Sequence, residues 1–475
     1  MTDFTPTADF AAAPISLTTP AEAVVATPAG AVAAAARLAP RLLAQAPLTD
    51  EIGGFPTQEI QWLREAGLLT AVLPVALGGA GLGEPTAALA LLQVLYHIGR
   101  GNLAVGRLFE GHVNALLLLR CFGSPAQLAR YAADARAGHL FGVWNTENPA
   151  EGVHLVPNEG GEGFRLRGAK TFASGAGHVT RPLLTGALLG KLTTPSVALP
   201  LAGVAATAVP TKLAPVVLSA AALATSAATI AATPLAKSAA PALPVPAPTP
   251  SAVAAPAKLG WQMLVLSADV QPPVLDRSFW RPLGMRATAS FRADFTGLSV
   301  SASDLIGRPD DYYRQPWFGG GAVRFAAVQL GGAAAVLDET RRFLRRLGRT
   351  DDPYQRQRLG EMLALHETGQ RWLRGAAVQA ALPSSTTEPL PAAKLAAIGA
   401  YANLVRATTE DICLETLRLA ERSVGARGLL QPEPFERLHR DLTHYLRQPA
   451  PDATLADAGR FALASDRPAY ELWGD

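Results

Sequence analysis

A short stretch near the C-terminus, RLHRDLTHYLRQPAPDA at residues 437–453, holds side chains that can exchange protons. Leucine and tyrosine at helical spacing predict an amphipathic helix in its first half, and two prolines then exclude a continuing helix interior. A general base must lie within hydrogen-bond reach of the proton it removes. The stretch offers His444 and Asp452 for that role. His112, in FEGHVNALL, is a further candidate, although a histidine on a helix is more often a surface or core residue.

Other signatures of catalysis are absent from the sequence. There is no G-x-G-x-x-G opening a helix after a strand, no P-loop, no H-E-x-x-H and no G-x-S-x-G. The string FGGGAVRF at 318–325 is glycine-rich but lacks a P-loop lysine, so we interpret it as tight packing or close approach to a ligand. Cys121 and Cys413 have no partner at metal-ligand spacing, so no metal site is expected.

The composition indicates a soluble globular protein of two or three domains, with 475 residues of which 49% are hydrophobic and 17% charged. The net charge of +3 is small, and the basic residues are mixed with acidic ones, as in ETRRFLRRLGRTDD. This pattern is typical of a solvated helix face and argues against a nucleic-acid partner. The opening MTDFTPTADF lacks the basic and apolar regions of a signal peptide, so a cytoplasmic location is expected.

The periodicity of apolar residues changes twice along the chain. Helical spacing holds over residues 31–139 and returns from Phe318, and short β-branched or aromatic segments lie between them. The predicted strands are HLFGVWNTE, GFRLRGAKTFASGAG, GWQMLVLSADV and ATASFRADFTGLSVSAS. We predict a multi-domain α+β fold. After a disordered tail at 1–30, it has an N-terminal helical lobe at 31–139, a middle antiparallel β-barrel or sandwich at 140–310, and a C-terminal four-helix bundle at 311–475.

A low-complexity insert, about residues 189–258, interrupts the middle domain. It consists almost wholly of Ala, Pro, Thr, Val, Leu and Ser, and no acidic residue occurs between Glu162 and Asp269. Residues 213–233 are long enough to span a bilayer, but they are mostly Ala, Ser and Thr and lie between strands of one domain. We therefore expect a surface excursion and no membrane partner.

Six strings resemble, in the same order along the chain, those of the acyl-CoA dehydrogenase family, which also includes flavin-dependent monooxygenases. The strings are FPTQEIQWLREAGLLTAVLPVALGGAGLG, FGVWNTENP, RGAKTFASGA, RPLGMRATASFRADFTGLSV, AAVQLGGAAAVLDE and VGARGLLQPEPFERLHRD. The resemblance covers most of residues 35–188 and 260–465. It implies this family's fold and a flavin cofactor.

The resemblance implies that FAD is held by two strands of the middle domain. A flavin ring needs a flat apolar wall and hydrogen bonds near N5 and the pyrimidine edge. By analogy with the family, Phe172 supplies the wall and Ser174 the hydroxyl beside N5, while Trp144, Asn145 and Thr146 line the other edge. Taken alone, Phe172 would be an ordinary core residue of a strand.

The dinucleotide end of FAD has weaker counterparts. Arg346 and Arg349, in RRLGRTDDPYQ, fall near the arginine with which the family holds the pyrophosphate, and a guanidinium suits that group. The alternative is that both arginines are solvated. Gly425 and Gly428, in VGARGLL, correspond to the family's glycine-rich turn.

The usual catalytic base is missing. Counting from RD at 440–441 places Pro449 where most members of the family carry a glutamate, and the second known position falls near Gly321 or Ala322. Asp452 is the nearest carboxylate along the chain, and His444 and His112 remain as other candidates. The resemblance thus predicts a catalytic turn from which the base has been removed.

Three functions stay open from the sequence. The first, which the resemblance favours, is an α,β-dehydrogenation of an acyl-CoA-like thioester. The second is flavin-dependent monooxygenation on the same fold, which needs no α-proton base, and the third is non-catalytic flavin binding. The expected partners are a small-molecule substrate and either an electron-accepting flavoprotein or a flavin reductase. Wide apolar faces, as in AAKLAAIGAYANLV, predict a homodimer or homotetramer.

Overall fold

The computed structural model describes residues 25–158, 160, 162–190, 258–380, 390–447 and 451–473. Its N-terminal region is helical, and the helices are α1 (Pro28–Ile52), α2 (Thr57–Glu65), α3 (Ala88–Gly101), α4 (Leu103–Phe122) and α5 (Pro125–Arg136). The tail predicted for residues 1–30 overlaps α1, which is capped by the Thr27 side chain accepting from Gly30 N at 3.1 Å. Residues 1–24 of that prediction lie outside the described residues.

The middle region contains strands in two sheets. The strands are β1 (Phe141–Trp144), β2 (His154–Pro157), β3 (Phe164–Arg167), β4 (Ala169–Ala173), β5 (Arg181–Leu189), β6 (Lys258–Val265), β7 (Val274–Asp276), β8 (Phe291–Asp294), β9 (Ser299–Val300) and β10 (Leu305–Ile306). One sheet has the order β10-β6-β5-β2-β3-β9, with β1 also paired to β5, and the other has the order β4-β8-β7. Most pairs are antiparallel as predicted, but β1 and β2 each pair parallel with β5.

The strand β5 is not among the predicted strands. Its burial is almost continuous from Arg181 to Leu189, because it pairs with β1, β2 and β6 inside the sheet. A strand buried on both faces has a continuous apolar run and no alternation. At its end Leu189 pairs with Lys258 of β6. The predicted insert therefore connects two neighbouring strand ends, and its residues 191–257 lie outside the described residues.

The C-terminal region is again helical. Its helices are α6 (Trp317–Arg346), α7 (Pro353–Ala380), α8 (Ala392–Gly428), α9 (Pro434–Tyr445) and α10 (Pro451–Leu463). Helix α6 is central and packs against α3 and α8. By length and composition it could cross a membrane. However, 72% of its apolar 18-residue stretch is buried inside the protein, as in a core helix. Helical domains at both ends with a sheet region between them are therefore the observed architecture.

Helix α9 connects the three regions of the molecule. Arg440 donates from Nη2 to Asp50 of α1 at 2.6 Å and from Nη1 to the carbonyl of Leu283 at 3.3 Å. The neighbouring Asp441 accepts from the backbone N of Met285 at 2.6 Å. A Cβ on Gly284 would lie 2.2 Å from the carbonyl oxygen of Arg440, so only glycine allows this approach. These contacts fix the loop at 280–290 beside α9.

Candidate functional site

An exposed aromatic ring marks the middle of the site. Phe172 lies on β4, where the register with β8 shifts between Lys170 and Ala173, and its φ is 53°. A non-glycine residue with positive φ is uncommon and is maintained only where its surroundings enforce it. The ring is 47% exposed. The local irregularity thus turns a large apolar ring outward from the sheet.

Further aromatic side chains stand around Phe172. Phe279 and Trp280 meet it edge-on, with ring centroids 5.2 and 6.2 Å away. His444 of α9 meets Trp280 edge-on at 5.5 Å. Trp280 is held by its Nε1, which donates to the carbonyl of Arg286 at 3.0 Å. The four rings form an aromatic cluster that brings together the sequence candidates Phe172 and His444.

Ser174 begins a chain of three hydroxyl groups. Its Oγ lies 2.9 Å from that of Ser290, which lies 2.7 Å from Oγ1 of Thr288. Thr288 donates its proton to the carbonyl of Met285 at 2.9 Å. Ser290 must then donate to Thr288, and Ser174 to Ser290, because each hydroxyl has one proton. The chain therefore leaves the Ser174 oxygen as an acceptor toward the site.

The other residues predicted for the flavin edge hold the strands in place. Trp144 is buried, and its Nε1 donates to the carbonyl of Ser174 at 2.9 Å. The side-chain oxygen of Asn145 accepts from the Thr185 hydroxyl. The carbonyl of Thr146 accepts from the backbone N of Thr171 at 2.9 Å. Trp144 thus positions Ser174, while Asn145 and Thr146 join β1 to the neighbouring strands.

A buried ion pair, which the sequence analysis did not single out, lies behind β4. Lys170 is fully buried, and its ammonium group bonds to Glu147 and, at 3.3 Å, to the carbonyl of Asn145. Burial lowers the pKa of Lys170, an effect that Glu147 opposes. The sequence offers one signal for this lysine. Lys170 stands two residues before Phe172, so both side chains would lie on the same face of a regular strand. In β4 a register shift follows Lys170 and breaks that regularity.

The three proton-transfer candidates have different surroundings. His444 belongs to the aromatic cluster, and burial lowers its pKa, which favours a neutral imidazole. His112 is fully buried in the core, where Nε2 bonds the carbonyl of Leu69 at 2.6 Å and Nδ1 accepts from the backbone N of Phe141 at 3.1 Å. Burial lowers the pKa of His112 to about 4. Asp452 is exposed in the first turn of α10. The structure brings only His444 to Phe172, and Pro449 lies outside the described residues.

The arginines predicted to hold a pyrophosphate lie at the C-terminal end of α6 and just beyond it. Arg346 is exposed and pairs with Glu433 at 2.6 Å. Arg349 pairs with Asp352 at 3.0 Å. Each guanidinium is thus matched by a carboxylate of the same chain.

The glycine-rich turn breaks helix α8. Gly425 has φ of 63° and ψ of −170°, a conformation that favours glycine. A Cβ on Gly428 would lie 2.4 Å from the side chain of Val424. Val424 lines a small pocket together with Arg346, so the structure brings the predicted turn and one predicted arginine together.

A small cavity extends from Ser174 between α4 and β1. Its lining residues are Arg107, Leu108, Gly111, Phe141, Gly142, Val143, Ser174 and Val179. The sequence analysis did not identify Arg107, which pairs with Glu110 at 2.5 Å. A charged pair on an otherwise apolar helix, in GRLFEGH, is the signal that identifies it. The cavity thus joins the hydroxyl chain to a charged group.

The residues present fit an isoalloxazine ring. Phe172 offers an exposed apolar face, which its positive φ directs outward from the sheet. Ser174 offers a fixed hydrogen-bond acceptor nearby. Among the described residues, no group of three or more His, Cys, Asp or Glu side chains could hold a metal ion. The apolar face of Phe172 and the Ser174 hydroxyl suit an organic ring.

Comparisons with known proteins agree with this geometry. Residues 31–139 match the model of the acyl-CoA dehydrogenase N-terminal domain, and residues 323–446 match that of the acyl-CoA dehydrogenase C-terminal domain. A dibenzothiophene monooxygenase of Rhodococcus erythropolis is 26% identical over 92% of this chain and 94% of its own length.

Solved structures show the same fold over nearly the whole chain. FMN-bound TdsC, a protein from Paenibacillus sp. A11-2, superimposes with a TM-score of 0.71 at 19% identity, covering 94% of this chain and all of TdsC. The methanesulfinate monooxygenase MsuC of Pseudomonas fluorescens gives 0.68 at 18% identity, covering 93% of this chain and 99% of MsuC.

These findings bear on the functions left open by the sequence. The named relatives are flavin-dependent monooxygenases, so they favour the second function over the thioester dehydrogenation that the resemblance favoured. They support a flavin but not FAD. The chain thus carries N- and C-terminal domains that match the acyl-CoA dehydrogenase family models, on the fold that these monooxygenases share.

Proposed function

We propose that this protein is a flavin-dependent monooxygenase that receives reduced FMN from a separate reductase and oxygenates a small organic molecule. The observation that carries the proposal is the surroundings of Ser174 and His444. Among the described residues, no carboxylate forms a hydrogen bond or ion pair with either side chain. Removal of an α-proton needs a base within reach, whereas oxygenation does not. The length over which the chain matches dibenzothiophene monooxygenases supports the same conclusion.

Each side chain of the site has a role in this proposal. Reduced flavin, when bound, supplies two electrons to dioxygen, so that one oxygen atom enters the substrate and the other leaves as water. Phe172 provides the apolar wall, and the Ser174 oxygen accepts a hydrogen bond from an N–H group, which reduced flavin carries at N5. His444 and Trp280 close the site from α9 and the loop beside it. Neutral His444 offers both a donor and an acceptor nitrogen for a polar substrate atom.

We favour FMN over FAD for one structural reason. Arg346 and Arg349, the two residues predicted to hold a pyrophosphate, are already paired with Glu433 and Asp352. An additional anion at this place would have to displace those carboxylates. Titration of the protein with FMN and with FAD tests this, and we expect FMN to bind at least as tightly as FAD. Much tighter FAD binding would contradict the choice of cofactor.

Oxygen uptake with a flavin reductase tests the proposed reaction. Dibenzothiophene, indole and methanesulfinate form the substrate panel, and the gas phase contains isotopically labelled dioxygen. We expect at least one compound to gain a single labelled oxygen atom in a protein-dependent reaction. If the whole panel yields only hydrogen peroxide while an acyl-CoA thioester bleaches the bound flavin, the protein is a dehydrogenase instead.

A further inference from the structure

Arg107, which lines the cavity beside Ser174, belongs to a polar network on α4 and α6. Arg107 pairs with Glu110 at 2.5 Å, and the other carboxylate oxygen of Glu110 accepts from the amide nitrogen of Asn114. The amide oxygen of Asn114 accepts from Nε of Arg324. The Glu110 side chain is only 3% exposed. Four polar side chains from two helices thus form one connected chain between the lobes.

The charges of this network do not balance. It contains two guanidinium groups, Arg107 and Arg324, and one carboxylate, Glu110. Within the described part of the chain, no carboxylate forms an ion pair with Arg324, whose hydrogen bond goes to a neutral amide. Tyr312 and Tyr445 also stand near the arginines, and burial raises the pKa of both, so they stay neutral. The network therefore carries one uncompensated positive charge.

Arg324 lies on α6 beside glycines, which carry no side chain. It follows the glycine string 319–321, for which the sequence analysis expected either tight packing or close approach to a ligand. A Cβ on Gly320 would lie 3.1 Å from Nη1 of Arg324, and one on Gly321 would lie 3.9 Å from Nη2. Arg324 is only partly buried, yet its pKa is lowered by desolvation. A desolvated charge of this kind is stabilised by an anionic partner.

We infer that the substrate carries an oxyanion, such as a carboxylate, sulfinate or sulfonate group, which binds to Arg324 and Arg107. This inference rests on the proposed function, because it assigns the substrate class of the same site. The anionic group lies against the planar guanidinium forks, which match two oxygen atoms at once. The part of the molecule to be oxygenated then points from Arg107 toward Ser174, two residues that line the same small cavity. The substrate is thus a small organic acid and not a neutral heterocycle.

Matched pairs of small molecules test the inference on the wild-type protein without flavin. Methanesulfinate is compared with dimethyl sulfoxide, and benzoate with benzamide, by calorimetric titration at low and at physiological salt. We expect each anion to bind about 10- to 100-fold more tightly than its neutral counterpart, as a charge-assisted contact provides. Equal affinity within both pairs would overturn the inference.

A set of variants locates the binding. Arg324→Gln should weaken both anions about 10- to 100-fold and leave the neutral compounds unchanged, while Arg324→Lys should retain part of the affinity. Arg342→Gln on the same helix removes an exposed guanidinium paired with Glu339, and it should have no effect. Anion binding that survives Arg324→Gln undiminished would overturn the assignment. Failure of the proposed function is a separate result, since it would appear as no oxygen transfer while Arg324-dependent anion binding persists.

Discussion

The hydroxyl chain from Thr288 through Ser290 to Ser174 sets the direction of one hydrogen bond at the site. As built, it makes Ser174 an acceptor, which suits the N–H of reduced flavin better than the bare nitrogen of oxidised flavin. Ser290→Ala frees the proton of Ser174 and should lower the midpoint potential of bound flavin by roughly 10–30 mV, the equivalent of one neutral hydrogen bond. Spectroelectrochemistry measures this. Ser303→Ala, an exposed serine that bonds Ser301, is the control, and an equal shift there would refute the orientation.

His444 should affect how efficiently oxygen reaches the substrate. Its ring packs on Trp280, so His444→Phe keeps the aromatic contact while removing both nitrogens. We expect flavin oxidation to continue and product per reduced flavin to fall by about 10-fold or more, with peroxide making up the difference. Burial lowers the pKa of this histidine, so the wild-type yield should be level through neutral pH and decline only in acid. Unchanged coupling in His444→Phe would exclude a role for the imidazole.

His112 should make the fold sensitive to acid. Its folded pKa is about 4, whereas an unfolded histidine titrates near 6.5. Between these pH values the unfolded chain binds a proton at this histidine and the folded chain does not. The free energy of unfolding therefore decreases as pH falls from about 6.5 to about 4, by up to about 3 kcal/mol. Urea titrations across this range measure the slope. His112→Gln should flatten it, and the partly exposed His154→Gln should not.

Sequence alone could suggest these histidines but could not distinguish them. His112 and His444 both lie on helices with apolar neighbours. What separates them is distant in sequence: the carbonyl of Leu69 and the backbone N of Phe141 occupy both nitrogens of His112, while Trp280 meets His444. The uncompensated charge of Arg324 could not be predicted for the same reason, because only the folded packing shows that none of the described carboxylates pairs with it.

At the scale of elements, the docking of α9 depends on one glycine. A Cβ on Gly284 would meet the carbonyl oxygen of Arg440 at 2.2 Å, and a backbone atom cannot move aside cheaply. Gly284→Ala should destabilise the protein by about 1–3 kcal/mol and should also weaken flavin binding, since the same loop carries Trp280.

A matched substitution separates this effect from glycine replacement in general. Gly360→Ala lies in α7 with nothing near its Cβ, and it should be neutral or stabilising by up to about 1 kcal/mol. Chemical denaturation monitored by circular dichroism compares the two variants. Equal stability of both proteins would mean that the loop relaxes away from α9.

The order of helical and β regions was predictable because segments with helical spacing of apolar residues lie on both sides of the segments with strand character. Which strands pair with each other was harder to predict from the sequence. The parallel partners of β5 and its continuous burial leave no alternating pattern in RPLLTGALL, so periodicity found no strand there. The outward turn of Phe172 depends on a register shift that only the β8 partner defines. The resemblance to the family named this residue, but composition could not.

For the whole molecule, the insert is the longest internal segment that the resemblance to the family does not cover. Leu189 and Lys258 are paired neighbours in the sheet, so a two-residue turn can join their strands. Replacing residues 190–257 by Asn-Gly, a sequence suited to a tight hairpin, should give a soluble protein that binds flavin as the full chain does. Absorbance of the bound flavin and circular dichroism check this. Loss of soluble protein would show that the insert contributes to the fold or serves a partner.

The pairing of β5 with β6 also has a consequence during synthesis. The two strands lie side by side in the sheet, yet residues 190–257 separate them along the chain. At about 5–20 residues per second, the ribosome adds β6 roughly 3–14 s after β5. One edge of an almost wholly apolar strand stays without its neighbour for that time, and an unpaired edge is a template for aggregation. The nascent chain is therefore prone to aggregation until β6 has been synthesised and has paired with β5.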